Sequence, residues 1–332
     1  MLIKDVYELL LKNKDEIKNE IRLLYEKKDD NLNKKVLEKW TEYCPTEFKF
    51  STFLAIDGGL WTKELRYGFV YIVDAEIVKA EGYNTTPIDS KAYIGVIRPG
   101  NLAKERVSLL MQLLELKLAL KHGNEADYIL FDGSITKKIG KYKLSSKISL
   151  LDDIDPLSDK IYSLEEQDEE LMYKYLIAEN HLVISELVNR YKNKLIWVSK
   201  NSKSIELFKE GISDISILEM FTRNCGYTKP LQKQISGENI ISTKASQTLD
   251  QQTYYSSYIR LKEGEKVLKV DSFTNNVEEI MNILTPINIK GYPYPLLKVH
   301  TDVKVSKEDR QRIEQLLNIK KRDIEWWPNQ LF

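Results

Sequence analysis

DYILFDGS, residues 127–134, is a short apolar run that closes on Asp132 and a glycine. Its uninterrupted apolar stretch reads as a strand buried on both faces, as in a parallel sheet. FLAIDGG, residues 53–59, repeats the pattern and closes on Asp57. Between the two, RYGFVYIVDA (66–75) and AYIGVI (92–97) read as strands from their β-branched and aromatic content. Pro99–Gly100 then precedes a Leu- and Lys-rich helix running from Asn101, at the N-cap position, to about His122. Gly58–Gly59 and Gly82 read as turns.

Three strands, a helix and a strand is the element order of an RNase H-like sheet, whose first three strands form an antiparallel meander. The expected fold is therefore α/β, a mixed sheet flanked by helices, with helical additions at both ends. Residues 2–28 carry apolar residues at helical spacing, and a second helix is expected over 31–40. Downstream, helices are expected at 164–192 and 275–284, and strands at 195–199, 254–261 and 266–270. Ser202 is placed to cap a short helix, GYPYP (291–295) to turn into the last helices, and residues 224–252, rich in Gln, Ser and Thr, to form a mobile excursion. The division that results is 1–45 helical, 46–310 an RNase H-like core with insertions near 133–160 and 224–252, and 311–332 a helix with an aromatic tail.

With 332 residues the chain can bury a large core. No apolar run is long enough to span a bilayer, and the acidic N-terminal stretch is unlike a signal peptide, so a cytoplasmic protein is expected. Cys44 and Cys225 are far apart and outside any CxxC pattern, which argues against a disulfide framework or a zinc ribbon. Fifty basic residues balance fifty acidic ones, so nucleic-acid binding would require locally concentrated positive charge. GSITKKIGKYKLSSK (133–147) supplies it, with Lys137, Lys138, Lys141 and Lys143 as backbone-tracking candidates, or else is a solvated loop. Tyr254, Tyr255 and Tyr258 read as packing rather than as base-stacking residues.

Asp57 and Asp132 would meet if their strands lie side by side and parallel, because strand carboxyl ends share one edge of an α/β sheet. Two such anions repel unless a cation lies between them, and hard divalent ions suit oxygen ligands. Either Asp-Gly alone would pass for a plain turn. Glu115, on a helix face with Met111, Leu118 and Ala119, is costly to bury unpaired; it either completes an Asp/Glu/Asp metal cluster or pairs with a lysine. His300 is a fourth candidate, and Lys200, after LIWVS, either faces the same edge or is a solvated loop lysine. His122 and His181 read as structural.

The set AIDGGLW, the Glu-bearing helix, LFDGS, VSKNS and GYPYPLLKVH, in order over residues 50–305, resembles the NurA nucleases of thermophilic archaea. The resemblance implies a Mn²⁺-dependent deoxyribonuclease, Mg²⁺ being the other candidate, with two ions per site. It implies 5′-to-3′ exonuclease activity on single- and double-stranded DNA, single-strand endonuclease activity, and a role in DNA-end resection for recombinational repair. Its implied partners are DNA, a second copy in a homodimer, and a HerA-type hexameric ATPase translocase. Asp57, Glu115 and Asp132 fall on the family's carboxylates, Tyr292 and His300 on its C-terminal Tyr/His motif, and Lys200 on its lysine. His300 is thereby a fourth metal ligand or the acid that protonates the leaving oxygen. One departure is Gly59, where a small hydroxyl residue is expected.

A sugar-kinase or actin-like ATPase also begins with Asp-Gly, but the hydroxyl-rich phosphate loop is missing after Asp57, and no GxxxxGK[ST] run exists. A non-catalytic DNA-end clamp or translocase adaptor is the third reading, opposed by the complete carboxylate set. The apolar tail IEWWPNQLF is expected to dock on a second copy or a partner.

Overall fold

The computed structural model describes residues 4–26, 30–98, 100–139, 154–158, 160–161, 168–236 and 240–319. Lys141, Lys143 and the aromatic tail lie outside the described residues. The centre is the meander: β2 (Thr52–Glu64), β3 (Phe69–Glu81) and β4 (Asn84–Ile97) pair antiparallel along nearly their full lengths. Gly82, at φ +62°, makes the tight β3–β4 turn that an L-residue would resist. The chain then forms α3 (Ala103–His122) and returns as β5 (Tyr128–Asp132), parallel to β2. After α5 (Glu169–Tyr191), β6 (Leu195–Ser199) lies parallel to β5.

Further strands extend this sheet to ten. β9 (Thr253–Arg260) and β10 (Leu268–Ser272) continue it antiparallel from β6, and β7 (Gly226–Thr228), β8 (Leu231–Gln234) and β1 (Trp40–Glu42) add to its far side. Helices cover both faces. Leu54 and Ile56 join the core under α3 and α5. Phe53 and Ala55 point the other way, into the core under α8 (Val277–Leu284) and α9 (Tyr294–Asp302). Because strand side chains alternate, this fixes which helices face which residues at the sheet edge.

α3 is apolar on most of its surface, with Leu113, Leu116 and Ala119 almost inaccessible, and lies between β2–β3 and α5. Each such leucine contributes about 1.5–3 kcal/mol of burial. α1 (Lys4–Glu26) is different. Leu9, Leu10 and Leu11 are 58%, 50% and 72% exposed, an apolar surface left open among the described residues.

Several expectations are corrected. Gly58 and Gly59 are not a turn: they sit inside β2, opposite Ala75 and Asp74. Asn101 does not cap α3; Leu102 stands at that position without a side-chain bond, and its N–H donates to the Glu169 carboxylate at 3.1 Å. α6 (Asp214–Phe221) is capped by Ser213, while Ser202 accepts from the Ser204 N–H in the preceding loop. The 224–252 region contains β7, β8 and α7 (Thr243–Leu249), with α7 packed on α5, so its polar composition reflects a sheet edge and a surface helix. Cys44 and Cys225 form a disulfide, with Cα atoms 5.2 Å apart, because β1 pairs with β7 and carries the two cysteines together across 181 residues.

Candidate active site

Ile56 of β2 pairs with Phe131 of β5. One residue further on each strand stand Asp57 and Asp132, side by side at the carboxyl edge of the sheet. Strand alternation turns Asp57 toward α9, and His300 on that helix meets it, Nδ1 to Oδ2 at 2.6 Å. Donor atoms of Asp57, Asp132 and His300 all lie within 4.8 Å of one another. β6 ends beside β5, and the next residue, Lys200, brings its ammonium to 3.3 Å from Asp132 Oδ2.

Glu115 approaches from the opposite face, on α3. Gly58 makes this approach possible: a Cβ there would stand 3.0 Å from Glu115 Oε1 and 2.7 Å from Met111 Cγ. The missing side chain is thus a window in the strand. Glu115 is only 3% exposed and is paired with the ammonium of Lys138, from α4 (Ile135–Ile139). It shares one cleft with Asp57 and Asp132 but falls outside the tight Asp57–Asp132–His300 group. Of the readings offered by the sequence, the lysine pair is present; Glu115 lines the same cleft as the acids.

Each of the three acids therefore carries one basic partner from a different element: His300 on Asp57, Lys200 on Asp132, Lys138 on Glu115. The pairing does not fully offset the crowding. Burial raises the Asp57 carboxyl above its ordinary value of 3.8 against the His300 bond, and Asp132 raises it further. Burial likewise raises Glu115 above 4.5 despite Lys138, with Asp57 and Asp132 adding repulsion. Acids raised in this way bind more protons folded than unfolded, so their ionisation removes stability as pH climbs through and above those ordinary values. Melting in chelator is accordingly expected to favour Asp57→Asn/Glu115→Gln over the parent increasingly as pH rises from 4 to 7. Mn²⁺ is expected to narrow the gap; a pH-independent gap would mean the two carboxyls are not strained.

Tyr292 lies under the same edge. Lys200 Nζ sits 5.1 Å from its ring centroid, and burial, with the Asp132 and Asp57 charges, holds its hydroxyl well above the ordinary range. That hydroxyl is buried and faces Asp132, the acceptor that helps to keep it protonated.

The cleft, about 430 Å³, is also lined by Ser134, Lys137, Lys138, Lys200 and Lys203. Local positive charge thus does surround the acids in an overall neutral chain. Lys137 is exposed there, whereas Lys138 is turned inward, so it is not placed as a backbone-tracking lysine. Lys203, Ser134 and Asp74 escape sequence reading. Asp74 sits mid-strand on β3, accepts the Gly59 N–H at 2.9 Å, and is raised by its own burial. Gly59 itself overturns the expected hydroxyl residue: a Cβ would lie 1.9 Å from the Val303 carbonyl oxygen at the end of α9. His181 is buried, held neutral by burial that lowers it to about 4, with Nε2 on the Ile139 carbonyl, and His122 bridges Asp89 and Glu125. Tyr254 and Tyr258 are core residues. A wider hollow beside α6 is lined by Arg260, whose guanidinium is already bonded to Glu265, Thr222 and Asn224.

An RNase H-like sheet whose carboxyl edge gathers acids, a histidine and lysines defines the class of divalent-metal phosphodiester hydrolases. Residues 51–305 match the NurA domain, and the chain belongs to the NurA family. It is 70% identical, over the whole of both chains, to the DNA double-strand break repair nuclease NurA of Sulfurisphaera tokodaii. It superposes with a TM-score of 0.83 and 36% identity on the crystal structure of the NurA nuclease from Sulfolobus solfataricus, over 98% of this chain and 100% of that one. A more distant crystal structure, NurA bound to dAMP and manganese, shares the fold at 16% identity and a TM-score of 0.60, over 96% of this chain and 97% of that one. Among the described residues no helix is long and apolar enough to cross a membrane.

Proposed function

We propose that this chain is a metal-dependent DNA nuclease that hydrolyses phosphodiester bonds in the processing of broken DNA ends. The observation that carries the reading is the convergence of Asp57, Asp132 and His300 donor atoms within 4.8 Å at the sheet edge. Hard oxygen donors with one imidazole suit Mn²⁺ or Mg²⁺. Relatives named as double-strand break repair nucleases and a family structure with manganese and a nucleotide support the same reading.

Asp57, Asp132, Glu115 and His300 would hold the metal, with Asp57 placed between the other donors and two ions as the expected number. Such ions supply Lewis-acid polarisation of the scissile phosphate and a nucleophilic water at neutral pH. The protein's own groups do the rest. The half-exposed ring of His300 is positioned to hand a proton to the leaving oxygen if it does not ligate. Lys200, held against Asp132 and over the Tyr292 ring, offsets charge on the phosphate, and the Tyr292 hydroxyl donates to it. Lys137 and Lys203 line the approach for the DNA backbone.

The finer proposals rest on the family resemblance: Mn²⁺ as the preferred ion, 5′-to-3′ digestion with single-strand endonuclease activity, a homodimer, a HerA-type translocase partner, and a cytoplasmic setting. The exposed apolar surface of α1 is available to such partners. The test is release of nucleotides from end-labelled DNA with Mn²⁺ and without ATP. Metal-dependent release is expected; an ATP requirement would favour the kinase-like reading, and DNA binding with no release the clamp.

A further inference from the structure

Lys138 is the least expected member of the site. Its side chain is 10% exposed, its ammonium meets Glu115 Oε2, and sequence reading puts it among solvent-facing lysines. It does not reach Glu115 by the drift of a flexible loop. The five-residue helix that carries it is pinned at three points. The Ile135 N–H donates to Asp271 Oδ2 at 3.3 Å, Gln112 Nε2 donates to the Lys138 carbonyl at 2.6 Å, and His181 Nε2 contacts the Ile139 carbonyl at 2.7 Å. Asp271, Lys138 and His181 are themselves buried, so these are fixed anchors.

We infer that Lys138 is a resident counter-ion that holds the place of a metal ion at Glu115 and sets how tightly that ion binds. The inference rests on the metal-dependent reading of the site. Glu115 is enclosed and shares its cleft with two more carboxylates, so its ionised form needs a cation beside it. Lys138 supplies one before metal arrives. A divalent ion using the same carboxylate through Oε1, at the Gly58 window, would sit beside that ammonium on Oε2 and be repelled by it. The ion's affinity is therefore lower than the acids alone would give. The gain is a site that folds without metal. Lys200 does not duplicate the role, since its 3.3 Å contact is with the more open Asp132.

The test is calorimetric Mn²⁺ binding and thermal melting, with and without Mn²⁺, on the full chain and on Lys138→Met. Lys138→Met is expected to melt lower in chelator, yet to bind Mn²⁺ tighter by on the order of tenfold to a hundredfold and gain more stability from it. Lys138→Gln, which removes the charge while keeping a donor for Glu115, is expected to show the same tightening should the methionine variant fail to fold. Adding Glu115→Gln is expected to erase the tightening, because the carboxylate contested by the two cations is gone. If the lysine variants bind Mn²⁺ no more tightly than the parent while melting lower, Lys138 is a packing residue and the inference is wrong. If the parent binds no Mn²⁺ at all, the metal-dependent reading falls with it, and the two failures are told apart.

Discussion

Asp57→Ala is expected to lower DNA cleavage by about a thousandfold or more while the chain still folds and binds DNA. Asp57 is the carboxylate at the centre of the site. It bonds His300, faces Asp132 across the parallel strands, and shares the cleft with Glu115, whose charge it feels. Losing it removes one of the three grouped donors and frees His300. Stability should not suffer, because ionised Asp57 is penalised by burial and by Asp132. The metal-free variant is expected to melt at or above the parent temperature near neutral pH. DNA affinity should persist, since Lys137, Lys200 and Lys203 remain in the cleft. Rates on labelled DNA, a melting curve and a mobility shift decide the matter together; retained cleavage would remove Asp57 from the chemistry.

Gly59→Ser carries the second large effect, and through a different route. The serine is the residue type the family resemblance leads one to expect at this position. In this chain its Cβ would stand 1.9 Å from the Val303 carbonyl oxygen and 2.4 Å from Asp74 Oδ1. Val303 is the C-cap of α9, so relief requires the helix end to move away from β2 by more than an ångström. Overpacking of this kind costs about 1–3 kcal/mol. His300 lies on the same helix, and its 2.6 Å contact with Asp57 does not survive such a shift. A displacement of that size at a reacting group costs roughly a hundredfold in rate. The expected result is a lowered melting temperature together with lost activity. Parent-like behaviour in both would mean that α9 is not seated on β2 as described.

These two residues also show what can be read from a linear sequence. Asp57 and Asp132 are legible because a buried parallel strand writes itself as an unbroken apolar run, and an acid closing such a run is conspicuous. Glu115 is legible as a misfit, a charge on a helix otherwise apolar around it. The glycines after Asp57 mislead. Asp-Gly is turn chemistry, yet here the strand continues to Glu64, and the glycines are required by what approaches from either face. That approach comes from Glu115 on one side and Val303 on the other, distant in sequence and unmarked by any pattern.

Lys138 and Asp74 are illegible for related reasons. A lysine in a lysine-rich stretch carries no sign that a short helix turns it inward. An aspartate in the middle of β3 looks like any outward-facing strand residue until Gly59 is placed beside it. The Cys44–Cys225 bond depends on an edge-strand pairing that neither short segment announces. Local order was readable; contacts that close across the sheet were not.

The most direct test of the account is anomalous diffraction at the manganese edge from crystals of this chain grown with Mn²⁺. The expected map has its strongest peak within bonding distance of both Asp57 and Asp132, with His300 or Glu115 completing the ligand shell. Peaks only elsewhere, with His300 and Lys200 still closed on the two empty aspartates, would contradict it.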